Sequence, residues 1–234
     1  MPSRRTLVLI LLLGVMTLAW FSWREVSSRR EDRETPGPTI NTQPVNFASR
    51  TFDPATPPSD MPPTTPGENA ECDSDFLFKA NVSGQTRQTD ATRATVTITQ
   101  IKVTLQLNVT IWLPTGATQH VIDHEQGHRQ ISEYYYQTAD KLAERIATTY
   151  MGKQVDIAGT DLNAESNKAL QQMATEITDE YNRELNTEPT QLLYDTITDH
   201  SRNEVVAEDA VAHALKNISI ESNQPASSER SDPR

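Results

Sequence analysis

At 234 residues the chain is long enough for one ordinary domain with appendages, and its 35 % hydrophobic and 6 % aromatic content leaves part of it for linker or tail. A net charge of -11 argues against a nucleic-acid binder, which needs a basic face to displace phosphate counterions. Cys72 is the only cysteine, which excludes an intrachain disulfide and a cysteine-rich metal cluster, so any metal site must be made of histidines and carboxylates.

In chain order, the first element is the uncharged apolar run from Thr6 to Trp23, 18 residues preceded by Arg4 and Arg5. It is long enough to span a bilayer as a helix, with Trp20 and Trp23 suited to the headgroup boundary. A cleaved signal peptide is the competing reading, but the run ends in Trp-Phe-Ser-Trp and offers only Val26-Ser27-Ser28 for cutting. Residues 1–30 are therefore expected to form a membrane anchor. Arginines before the run (Arg4, Arg5) and after it (Arg24, Arg29, Arg30, Arg33) nearly balance, so charge alone does not orient it and the composition of residues 31–70 tips the choice. Those residues hold nine of the fourteen prolines, with Thr, Ser and Asn, and read as a flexible linker. A tether behind an anchor suits a domain displayed from a membrane, or secreted if the anchor is cut. The polar tail 217–234 is expected to be disordered.

The folded domain is expected over residues 71–216. Phe76-Leu77-Phe78 adds a candidate strand. Ala94, Val96 and Ile98, then Val103, Leu105, Leu107, Val109, Ile111 and Leu113, alternate with polar residues, and the phase slip near Gln100-Ile101 marks a bulge or turn. After Pro114 and Gly116 the period becomes helical. Val121, His124, His128, Ile131, Tyr135, Leu142 and Ile146 share one face of a helix from about Thr118 to Tyr150. A second stripe runs through Leu162, Leu170, Met173, Ile177, Tyr181 and Leu185. Pro189 breaks it, and a last helix is expected from about Arg202 to Lys216. Strands first and helices afterwards make an α+β domain, with an N-terminal antiparallel sheet.

Chemistry is concentrated in His124-Glu125-Gln126-Gly127-His128. On a helix, residues four apart share a face, so His124 and His128 can direct two imidazoles at one ion. Glu125 flanks the same point and can take a proton from water instead of ligating the metal. Two imidazoles, a third N or O ligand and one open position suit zinc. Glu133 is rotated away from the ligand face. His200 and Glu204 are the candidates for third ligand, and Asp195 is a candidate for orienting an imidazole from behind.

The segment HEQGHRQISEYY, the stretch YDTITDH some seventy residues later and the β-rich run ending in NVTIWLP resemble a bacterial domain family of unknown function described as predicted zinc-dependent proteases of the zincin clan. The resemblance covers roughly residues 75–216. It implies a zincin-like fold, zinc held by His124 and His128, Glu125 as general base, and His200 as the preferred third ligand. Ser201 stands where the family pattern has Gly, and Glu204 where it has Gln, so Glu204 stays open as the alternative ligand.

Other polar and aromatic residues have plainer roles. His120 is expected as a solvated or capping helix-start residue and His213 as a surface or half-buried one. Of Tyr134, Tyr135 and Tyr136 one is expected to pack inward and the others to face solvent or the cleft, where a phenol could stabilise an oxyanion; Tyr194 is as good a candidate and lies nearer the expected third ligand. In a bacterial protein, as the resemblance implies, the membrane would be the inner one with the domain in the periplasm, and the Asn81, Asn108 and Asn217 glycosylation-type triplets would carry no meaning. Nothing in the sequence near Cys72 would activate its thiol. The reading that results is a zinc peptidase acting on polypeptide, with a metal-binding or inactive zincin-like envelope scaffold as its rival.

Overall fold

The computed structural model describes residues 37–64 and 68–221. The anchor expected over residues 1–30 lies outside them, and among the described residues no helix is long and apolar enough to cross a membrane. The alternating segment is one long strand, β4, Arg93–Pro114, around which the sheet is organised. Ala94, Val96 and Ile98 are buried, and so are Ile101, Val103, Leu105, Leu107, Val109 and Ile111. The change from even to odd numbers is a β-bulge. Opposite β3, Glu71–Gln88, Ser83 pairs with Gln100 but Gly84 with Ile98, leaving Thr99 as the extra residue. The insertion keeps the apolar side chains on one face. Gly84 has no room for a side chain at this point, because a Cβ would come within 2.7 Å of the Thr97 carbonyl oxygen.

β3 runs antiparallel along one edge of β4. The other edge carries three short strands end to end. β1, Thr39–Thr42, and β2, Asn46–Phe52, are parallel to β4, and β5, Gln154–Ala158, is antiparallel to it. The sheet is thus open and mixed, where an antiparallel one was expected. β1 and β2 also correct the reading of residues 31–70 as a linker throughout. Their side chains are mostly exposed, so the main-chain ladder to β4 orders them rather than apolar burial, and composition does not register that. Pro44, which has no N–H to donate, falls between the two strands. Arg50 lies 4.0 Å over the Trp112 ring and pairs with Asp60, joining β2 to the Pro-rich turns beyond it.

Helices cover the buried face of the sheet. The single helix expected from Thr118 to Tyr150 is two, α1 Gln119–Tyr136 and α2 Ala139–Tyr150, because Thr138 leaves helical geometry at φ -115 and ψ 4. The break turns Ala139, Ala143, Ile146 and Ala147 of α2 onto β4, in a core shared with Ile177 and Tyr181 of α3, Leu162–Glu184. Each Ile or Leu fully buried there contributes roughly 1.5–3 kcal/mol relative to exposure. Asp161 caps α3 by accepting from the Asn163 and Ala164 main-chain N–H groups. Pro189 stands in the first turn of α4, Glu188–Thr198, where a missing N–H costs nothing. The last helix, α5, is Ala207–Glu221, later than expected because Asp199, His200 and Ser201 have positive φ and end α4 in a left-handed turn. It carries the chain five residues into the stretch read as tail, whose remainder lies outside the described residues. A second core of Ile131, Tyr194, Ala210, Val211 and Ala214 joins α1, α4 and α5, and sets the inner face of α4 beside the motif on α1.

Candidate metal centre

Thr118 caps α1 by accepting from the Val121 main-chain N–H, and the motif occupies the middle of the helix. His124 and His128 turn their Nε2 atoms to within 3.2 Å of each other. Asp195 on α4 places Oδ1 beside both, 2.8 Å from His128 Nε2 and 3.5 Å from His124 Nε2. Despite these short contacts, Asp195 Oδ1 is buried without a hydrogen bond of acceptable geometry. Three ligand-type atoms therefore converge on one point.

Zinc bonds of about 2.0–2.2 Å place tetrahedral ligand atoms roughly 3.3–3.6 Å apart. The two separations from His124 Nε2, 3.2 and 3.5 Å, lie at that spacing, and the His128–Asp195 contact of 2.8 Å needs only a small opening. The residues fit the ion. Gln191, one turn before Asp195 on α4, positions the His128 ring. Its amide nitrogen donates to the His128 carbonyl and to Ser132 Oγ, so its oxygen is left to accept from His128 Nδ1 at 2.8 Å. In the neutral ring that bond keeps the proton on Nδ1 and leaves Nε2 as the available ligand atom. Replacing Gln191 by Leu is expected to lower zinc affinity by roughly 10–100-fold, measured by competition with a chromogenic chelator; unchanged affinity would dismiss this role.

Behind the pair, the Tyr194 ring stacks on His124 at 5.1 Å, and its phenol donates to the His124 carbonyl oxygen at 3.0 Å. Gly127 makes this possible, since a Cβ there would lie 2.1 Å from the phenol oxygen. Tyr194 is fully buried, and its hydroxyl is committed to the backbone of α1. It braces the helix and the neighbouring Asp195 in this arrangement.

Glu125 is 2 % exposed and lines a cleft of about 270 Å³ with Glu68, Glu71, Cys72, Ser74, His128, Thr187, Gln191 and Asp195. Burial pushes its carboxyl up to about 8. His124 is held down to about 4, first by burial and then by the charge of His128, so it is neutral at pH 7. Burial also opposes a charge on His128, but the Asp195 carboxylate outweighs it and holds the ring up to about 9. Burial raises the Cys72 thiol well above its ordinary range, which keeps it unreactive.

His200 does not join His124 and His128. It pairs through Nδ1 with Glu68, and those two form a second group with Asp195. The three consecutive positive φ values, 47, 54 and 59 for Asp199, His200 and Ser201, are sparsely populated for non-glycine residues and cost about 1–3 kcal/mol each. Glu204 is exposed and belongs to neither group. Glu133 pairs with Arg129, Tyr135 bonds Thr190, and the Tyr136 hydroxyl donates to the Gln43 carbonyl between β1 and β2. His120, Tyr134 and His213 are exposed.

Fold and site together define an α+β protein with a partly buried His-His-Asp cluster between two packed helices, open to a carboxylate-lined cleft. No family model, no curated protein and no solved structure matches the chain.

Proposed function

We propose that this protein is a zinc-dependent peptidase of the zincin kind, held at the membrane by its N-terminal apolar run and acting on polypeptide outside the cytoplasm. The observation that carries the reading is the convergence of His124, His128 and Asp195 on one point, with Glu125 in the wall of the adjoining cleft. Zinc held by those three residues would supply Lewis acidity toward a carbonyl and would acidify water toward neutral pH.

Glu125 takes the proton of the attacking water and passes it to the leaving amine. A carboxyl raised to about 8 can hold or release that proton near neutral pH. Gln191 keeps His128 in the ligand tautomer, and Tyr194 fixes the backbone of His124. β3 pairs only with β4 among the described strands, and its first residues, Glu71, Cys72 and Ser74, line the cleft. An extended peptide laid along that edge would add a strand and run past Glu125.

The test is metal content and turnover of the untagged full chain. Stoichiometric zinc is expected, with cleavage of an unstructured polypeptide such as casein that stops on chelation and returns with zinc. Zinc without cleavage would favour the scaffold reading, and cleavage that survives full removal of the metal would end the zinc assignment.

A further inference from the structure

We infer that Asp195 is shared between two cation sites, the second completed by Glu68 and His200. This rests on the zinc reading of the first site. Glu68, Asp195 and His200 each offer a ligand atom, and these atoms lie within 4.8 Å of one another. Glu68 comes from the connection between β2 and β3, and His200 from the left-handed turn after α4, 132 residues further on. Their side chains meet nonetheless, and that of Glu68 is only 8 % exposed.

The charge of the cleft points the same way. Glu68, Glu71 and Asp195 put carboxylates into it beside the Glu125 carboxyl, and its described lining residues include His128 but no Lys or Arg. Carboxylates gathered away from water repel one another unless cations or protons offset them. Beside an ion held by His124, His128 and Asp195, the Glu68 carboxylate pairs with His200. A divalent ion between Glu68, His200 and Asp195 offsets the remainder. A carboxylate has two oxygens and can serve two ions, an arrangement that suits two-metal hydrolytic sites. Two carboxylates and one imidazole are a donor set for zinc or manganese, and a poor one for a soft thiophilic ion.

The experiment counts ions. Metal-free, untagged full chain is titrated with Zn2+, and bound metal per chain is measured by mass spectrometry after desalting, with circular dichroism to check that each variant is folded. Wild type is expected to retain two ions, and Glu68→Gln and His200→Ala one each. Loading with Co2+ adds a second readout, since two ions sharing Asp195 should couple magnetically in wild type and not in either variant. A single ion in wild type, unchanged in both variants, overturns the second site and leaves the first standing. Two uncoupled ions overturn the sharing of Asp195, and two ions still bound in Glu68→Gln remove Glu68 from the site. No bound ion in wild type overturns both this inference and the zinc reading.

Discussion

Glu125→Gln is expected to cut peptide cleavage by about 100–10,000-fold, the usual contribution of a positioned acid–base group, while the protein keeps its zinc. Glu125 is adjacent in sequence to His124 but belongs to neither group of converging ligand atoms. The amide has the same size, so the packing around this buried side chain is preserved, and only the ability to carry a proton is lost. Stability should move the other way. A carboxyl held up to about 8 in the fold and at about 4.5 when unfolded makes the metal-free protein less stable as pH rises through that window, because the unfolded chain ionises first. The amide does not ionise, so the metal-free variant should melt at or above the wild-type temperature at pH 8. Kinetics on one peptide substrate, metal analysis and a thermal melt together check the assignment. Cleavage retained above a tenth of wild type would show that another group moves the proton.

The features legible in the sequence are those that local geometry determines. His124 and His128 meet because a helix repeats every 3.6 residues, and their companion Glu125 is fixed by the same turn. The irregularity that proves to be the bulge at Thr99 is visible because a slip in a period-two pattern needs a bulge or turn if one face stays buried. The third member of the cluster is different in kind. Asp195 and His200 are both on or near α4, and which of them reaches the histidines depends on how α4 packs against α1. Ile131, Tyr194 and Ala210 decide that through side-chain contacts far apart in sequence. Asp195 is therefore visible as a polar neighbour, without its distance. Gln191 leaves only a faint trace in the sequence, lying one turn before Asp195 on the same face of the helix. Gly127 reads as a spacer in the motif, whereas only the approach of Tyr194 shows why a side chain is excluded. β1 and β2 are hidden because edge strands can be held by main-chain bonds alone and need no apolar pattern.

Asp195→Asn is expected to weaken zinc binding at the His124–His128 site by at least about 100-fold, more than the roughly 10–100-fold typical of residues that only support a ligand. Loss of affinity alone would not separate a ligand from a support, but its pH dependence does. Zinc must displace the proton from His128, which the Asp195 carboxylate holds up to about 9 against the effect of burial. Wild-type affinity should therefore climb by about tenfold per pH unit while one proton is displaced, levelling only as pH approaches 9. Without the carboxylate the ring falls back toward or below its ordinary value of 6.5, and the climb should end near there. His200→Ala is the matched comparison. It leaves the contacts of Asp195 with both imidazoles untouched, so the affinity of that site should change by less than about tenfold and its climb with pH should persist. The opposite pattern, zinc kept in Asp195→Asn and lost in His200→Ala, would make His200 the third ligand and require the turn at Asp199–Ser201 to swing toward α1.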